Sequence, residues 1–305
     1  MGMLDKWVES LDYQFHVSDS CVRGKSPWAT CNQCVESCKE EAITLKNHLP
    51  VIQAEKCVEC GNCMAFCPVQ AVEGIFPKRT IVRNQLVAEA GMIPSRKELL
   101  VFHAKGITSI LFSSEDLRKV WNHRIHDANT ILQELGKSTF FIQTGYPPSE
   151  KNESVSRREL FSLWGKEGKS LVKQVTPAKW RFNHTNFDLS RYYSEHQFFD
   201  VVVEREKCTL CSACEALCPK ECFRIGDDSF EVSPQACSDC QLCVDVCPEK
   251  AITIRPHVSK AVSKTLETYS NTCVVCKDSF KTLSKHDIKC PICAKRKAGY
   301  LNSKV

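Results

Sequence analysis

Residues 208–219 read Cys208-Thr-Leu-Cys211-Ser-Ala-Cys214-Glu-Ala-Leu-Cys218-Pro219, and residues 237–248 read Cys237-Ser-Asp-Cys240-Gln-Leu-Cys243-Val-Asp-Val-Cys247-Pro248. Both follow one spacing, C-x2-C-x2-C-x3-C-P, within a chain of 305 residues. Outward from there, the rhythm returns at Cys57, Cys60, Cys63, Cys67 and Pro68. It returns in altered form at Cys31, Cys34 and Cys38, with Cys21 upstream. No cysteine lies between Cys67 and Cys208, although the chain holds 21 in all. A disulfide scaffold would scatter its cysteines more evenly, and thiols in a reducing compartment hold metals instead. The first residues carry Asp5 and Glu9 and no apolar export core, so a cytoplasmic chain is expected. Apolar stretches such as 107–112 fall far short of the ~20 residues a membrane helix needs.

The pair of runs closely resembles bacterial two-cluster ferredoxins. That resemblance implies two [4Fe–4S] cubes per module, each wrapped by three close thiolates and completed by the last cysteine of the other run. One cluster then takes Cys208, Cys211, Cys214 and Cys247, and its neighbour takes Cys237, Cys240, Cys243 and Cys218. The proline after each fourth cysteine turns the chain away from the cluster.

The N-terminal copy departs from this family in its first half. Trp28 stands where the first cysteine would be, Lys39 replaces the proline after Cys38, and Cys21 is the remaining candidate ligand. The implied sets are Cys21, Cys31, Cys34 and Cys67 for one cluster, and Cys57, Cys60, Cys63 and Cys38 for the other. Should Cys21 stay outside its set, that cluster is a three-iron or labile one, and an open iron site there is where substrate chemistry would be sought. Short strands are expected after each run: 42–45, 71–72, 223–225 and 251–254. The module is duplicated, and this repeat organises the chain.

The last four cysteines form two C-x2-C knuckles, Cys273/Cys276 and Cys290/Cys293, and resemble a zinc ribbon. A single iron uses the same four-thiolate geometry, so ligand type leaves zinc or iron open. The short loop and the lack of an aromatic shell favour zinc. His286, between the knuckles, reads as a solvated loop residue. One cysteine is left over: Cys222 reads as a small buried hydrophobe, with a thiol beside the cluster ligands as the alternative.

The cysteine-free middle reads as a small α/β unit. Ser95-Arg-Lys-Glu98 is a capping box before a short helix, 108–112 is a buried strand, and a helix from Glu115 ends at Gly136 before a strand at 139–143. No G-x-G-x-x-G follows a strand, which argues against a dinucleotide site. The unit resembles small α/β domains fused to iron–sulfur subunits of hydrogenase and heterodisulfide reductase systems. Further on, Ser156-Arg-Arg-Glu-Leu-Phe161 looks like a twin-arginine export motif, but it is internal and no apolar run follows. Residues 157–181 carry 7 Lys/Arg against 2 Asp/Glu, either a solvated helix face or a docking surface for an acidic redox partner. Similar Arg-Arg segments occur in cytoplasmic ferredoxin-type accessory proteins of nitrate reduction.

The formal net charge of +5 does not survive metal loading: four cubes and a zinc site, each with four thiolates, take it to about −5. Nucleic acid is therefore not the expected partner, even though residues 250–305 hold 12 Lys/Arg against 3 Asp/Glu. The expected fold class is α+β: two dicluster modules flanking a small α/β domain, plus a zinc ribbon. The boundaries are 1–16 for an N-terminal helix, 17–79 and 201–258 for the modules, 80–145 for the α/β domain, 146–200 for a basic linker and 259–305 for the ribbon-like tail. The expected role is electron transfer by a four-cluster polyferredoxin between donor and acceptor oxidoreductases, in an anaerobic or facultative host. The alternative is an accessory or maturation factor that docks on an apo-metalloenzyme. No nucleophile–base pair or flavin site emerges, so no activity is expected of the chain alone.

Overall fold

The structure, a computed structural model, describes residues 15–74, 76–77, 79–146 and 187–295. Most of the expected N-terminal helix and all of the basic segment 157–181 lie outside the described residues. The chain divides into two units: Met1–Cys21 with Asn32–Tyr192, and Val22–Cys31 with Tyr193–Val305.

In the first unit, strands form where apolar residues follow the cysteine runs. β1 (His16–Val17) pairs antiparallel with β4 (Val72–Glu73), and β2 (Ile43–Lys46) forms a hairpin with β3 (Leu49–Ile52). Asn47 and His48 turn that hairpin with φ of 48° and 73°, the left-handed pair that a two-residue turn requires. Two short helices, α1 (Gln33–Glu36) and α2 (Asn62–Phe66), carry cysteines Cys34 and Cys63. The core here is thin: Phe15, Ile43, Met64, Ala71 and Val72 pack with Cys63 and Cys67 themselves.

The same unit continues into a four-stranded sheet in the order β5 (Ile81–Val82), β6 (Gln85–Val87), β7 (Ser109–Phe112), β8 (Phe141–Thr144). β6, β7 and β8 run parallel, joined through α3 (Arg96–Ala104) and α4 (Glu115–Glu134). The capping box is present: Ser95 Oγ accepts from Glu98 N–H at 3.0 Å, and the Glu98 carboxylate accepts from Ser95 N–H at 3.4 Å. Ser114 caps α4, and Gly136 follows it at φ 66°, where a side chain would be strained. Trp121, Ile125, Ala128 and Leu132 line the buried face of α4, and Trp121 meets Phe112 edge-on at 5.6 Å. The antiparallel hairpin β5–β6 has no counterpart in the sequence reading, which begins the sheet at β7.

In the second unit, β9 (His196–Val203) pairs antiparallel with β12 (Ile252–Lys260), and β10 (Phe223–Ile225), β11 (Ser229–Val232) and β13 (Lys264–Glu267) form a sheet. Helices α5 (Ala213–Leu217) and α6 (Leu242–Val246) each begin inside a cysteine run. Val201, Phe223, Phe230, Val232 and Ile252 form the core with Cys214, Cys222, Cys243 and Cys247. The segment Val22–Cys31 belongs to this unit. Arg23, 8% exposed, gathers its end by donating to the carbonyls of Cys31 (2.6 Å) and Thr30 (3.0 Å). Thr30 N–H in turn donates to the Asp245 carboxylate on α6 at 2.8 Å. The chain ends its described part in a hairpin of β14 (Tyr269–Thr272) and β15 (Ser279–Thr282), then α7 (Pro291–Lys295). No described helix is long and apolar enough to cross a membrane.

Candidate metal centres

The backbone of the cysteine runs repeats as closely as their spacing. In three runs the residues on either side of the second cysteine have positive φ: Glu59 and Gly61 (53° and 74°), Leu210 and Ser212 (51° and 60°), Asp239 and Gln241 (59° and 60°). Only one of the six is glycine, although the left-handed region disfavours every other residue by about 1–2 kcal/mol. Alternating left- and right-handed residues turn successive N–H groups toward one side, which makes a concave site for an anion. The strain is the mark of a binding loop.

A second repeated device follows each fourth cysteine. Glu41, Gln70, Glu221 and Lys250 are left-handed, with φ between 50° and 56°. The residue after each then donates its N–H to the cysteine sulfur: Ala42 to Cys38 (3.3 Å), Ala71 to Cys67 (3.1 Å), Cys222 to Cys218 (3.4 Å) and Ala251 to Cys247 (3.3 Å). Such donors favour the thiolate and hold the ligand's direction.

These devices bring cysteines together in sets. Cys208, Cys211, Cys214 and Cys247 line one cavity, walled by Val203, Ile225 and Phe230. Cys38, Cys57, Cys60 and Cys63 line another, walled by Phe15, Ile43 and Ile52. Cys218, Cys237, Cys240 and Cys243 lie close enough that, with burial the largest cause, the first three also raise the Cys243 thiol. The fourth expected set divides between the units: Cys21, Cys34 and Cys67 pack in the first-unit core, whereas Cys31 belongs to the second unit. Trp28 is 71% exposed and its run carries none of the left-handed pairs; Asn32, ahead of α1, has φ −121°.

The electrostatics show what the sets need. Burial pushes the Cys63 thiol up to about 12, and the neighbouring Cys60, Cys57, Cys34 and Cys38 push the same way. Cys214 is likewise raised to about 12 by burial and then Cys208. Several thiolates cannot share an apolar cavity without a cation to offset their repulsion, and metal coordination supplies it. Four thiols, a dry wall and N–H donors on sulfur fit a [4Fe–4S] cube.

At the C-terminal hairpin, the sulfurs of Cys273, Cys276, Cys290 and Cys293 all lie within 4.8 Å of one another. Cys276 and Cys290 are 3.9 Å apart, close to the ~3.8 Å edge of a tetrahedron with metal–sulfur bonds of ~2.3 Å. Cys290 N–H donates to Cys273 Sγ at 3.3 Å, and this donor, then that of Cys276, holds the Cys273 thiol down at about 6. His286 is exposed and stands outside the four-sulfur group. The sequence reading missed the left-handed residues, because Glu, Leu, Ser, Asp and Gln give no compositional sign of that conformation.

Two of the cysteine-bearing segments match known domains: a 4Fe-4S dicluster domain over residues 29–71, which spans Cys31 to Cys67, and a 4Fe-4S binding domain over residues 230–253, which spans Cys237 to Cys247. The chain thus carries two ferredoxin-type iron–sulfur domains, the first of them beginning beyond Cys21. Among similar proteins, the ferredoxin-type protein NapF of Escherichia coli is 35% identical over 66 residues, 20% of this chain and 39% of that protein. A component of the ion-translocating oxidoreductase complex of Methanosarcina acetivorans is 42% identical over 43 residues, 14% of this chain and 16% of that component. Ferredoxin-1 of Caulobacter vibrioides is 35% identical over 57 residues, 19% of this chain and 46% of its own length. The chain therefore spans less than half of each of these relatives. Iron–sulfur binding in these two segments follows from the matches.

Proposed function

We propose that the chain is a polyferredoxin that holds four [4Fe–4S] clusters and one structural zinc, and relays single electrons between two redox proteins of a reducing, oxygen-poor cytoplasm. The observation that carries this reading is the fourfold recurrence of one ligand device: a left-handed residue followed by an N–H bonded to a cysteine sulfur. When bound, the clusters supply one-electron chemistry. The protein's part is ligation, exclusion of water by Phe15, Ile43, Phe230 and Ile225, and hydrogen bonding that weights the reduced form. The ligand sets are those named from the sequence, with Cys21 and Cys31 completing the fourth and zinc at Cys273, Cys276, Cys290 and Cys293. The basic composition of segment 157–181, 7 Lys/Arg against 2 Asp/Glu, suits it to an acidic partner.

Metal analysis of anaerobically purified protein tests this reading. About 16 iron, 16 sulfide and one zinc per chain are expected, with full reduction and reoxidation by small redox proteins at rates that match turnover. About 8 iron reduces the reading to a single dicluster carrier. Clusters that are present but never reoxidised by a partner oxidoreductase overturn the relay and leave the accessory role.

A further inference from the structure

The turn that follows the last cysteine of each run leaves its left-handed residue in solvent in three cases: Glu41, Glu221 and Lys250 are exposed. After Cys67 the same residue, Gln70, is only 7% exposed. This turn is the covered one, and two helices of the α/β region reach it. Lys97, in the first turn of α3, donates from Nζ to the Cys67 carbonyl at 3.0 Å. Arg124 of α4 sets its guanidinium over the ring of Phe66, 5.3 Å from the centroid. The carbonyls of Cys38, Cys218 and Cys247 accept the N–H of their own turn at 3.2, 3.3 and 3.2 Å. That of Cys67 accepts its turn's N–H at 3.4 Å and the Lys97 ammonium besides. Covalent geometry keeps a cysteine sulfur within ~5 Å of its own carbonyl oxygen, so this ammonium lies within ~8 Å of a ligand sulfur.

We propose that Lys97 is a positioning residue for electron transfer: its ammonium, held on the Cys67 carbonyl, raises the reduction potential of the cluster that takes Cys67. The proposal rests on the four-cluster reading. One electron arrives from the donor protein and leaves to the acceptor, and while it stays its charge spreads onto the ligand sulfurs. A fixed cation nearby stabilises the reduced cluster more than the oxidised one, because reduction makes the cluster more negative. At an effective dielectric of about 20, attraction over ~8 Å is worth tenfold or more in the equilibrium constant. Lys97 is half-buried, so solvent trims the effect toward the lower figure. The α/β region thereby takes part in deciding where electrons rest in the N-terminal module.

The test is an EPR-monitored potentiometric titration of the full-length protein, after iron and sulfide content have been measured. Wild type is compared with Lys97→Met, which removes charge and donor, Lys97→Gln, which keeps a donor without charge, and Lys97→Arg, which keeps both. In Lys97→Met and Lys97→Gln one reduction step is expected to fall by roughly tenfold in its equilibrium constant, ~59 mV for a one-electron couple, while the other steps stay put. Lys97→Arg should leave that step near its wild-type place. Unmoved steps in Lys97→Met at full iron overturn the proposal. A shift in Lys97→Met that Lys97→Gln restores, or that Lys97→Arg shares, also overturns it, because the bond or the packing would then matter and the charge would not. Should Lys97→Met lose iron, the Gln and Arg variants decide; loss of iron in all three marks Lys97 as structural and overturns the proposal. Wild-type protein short of four clusters sinks the reading beneath the proposal and is read before any variant.

Discussion

The cysteine modules and the cysteine-free α/β region hold their folds by different means. Around β7 and α4 the core is built of large side chains, with Trp121, Phe112, Leu99, Leu100, Ile110 and Leu132 all fully buried. Around β1–β4 the strands are two to four residues long, and the buried residues include alanines and the cysteines themselves. So small a core cannot offset chain entropy on its own, and the metal supplies the remainder. One region is held by packing and the other by its ligands.

The largest test of that contrast is removal of iron. Anaerobic treatment with acid and chelator should abolish ordered structure in both modules, while a cooperative melt that reports Trp121 and α4 survives. Loss of that transition together with the iron would mean the α/β region leans on the modules. Next in size is the buried pair Arg79–Glu98, bidentate at 2.7 and 3.0 Å, with exposures of 4% and 1%. Burial raises the Glu98 carboxyl, and the Arg79 contacts oppose that rise. Glu98→Gln leaves the Arg79 charge buried and unpaired, and should cost about 3–5 kcal/mol in urea denaturation with iron content unchanged. The double variant Arg79→Met, Glu98→Leu should recover most of that loss.

A smaller effect separates the regular runs from the altered one. Glu59→Gly and Ser212→Gly relieve left-handed strain, and each should raise stability by about 1 kcal/mol. Asn32→Gly, at φ −121°, relieves nothing and should be neutral or slightly destabilising. Equal effects at all three positions would remove the distinction between the runs. Smallest is a pH effect within the α/β region. His103 Nε2 is buried without a partner, and burial holds this imidazole below its usual 6.5, with the Ser138 backbone opposing. Because the folded form binds the proton more weakly, stability should fall as pH drops through about 6.5 and stay level above it. Wild type should therefore lose more melting temperature than His103→Gln between pH 7 and 5.

Legibility followed the range of the interactions. The capping box at Ser95, the 3.6-residue period of α4 and the glycine beyond it are local, and each stands where the residues indicate. Strands after the cysteine runs were equally readable, because apolar residues follow a turn. By contrast, β5–β6 is a short hairpin turned at Arg83 and Asn84, with no glycine to announce it. The partner of β1 lies more than fifty residues away at β4. Arg79 finds Glu98 through tertiary packing alone. In the metal centres the donor types were visible as spacing, whereas the N–H groups that hold them are backbone features, and side-chain identity does not encode them.

The tie between Thr30 and Asp245 spans 215 residues of chain. A ribosome adding roughly 5–20 residues per second needs about 10–40 s to make that interval. The segment that ends in Cys31 therefore leaves the exit tunnel long before its partner on α6 exists. Synthesis itself imposes an order: the set of Cys38, Cys57, Cys60 and Cys63 can be metallated early, whereas the segment that ends in Cys31 acquires its last anchor only when translation is nearly finished.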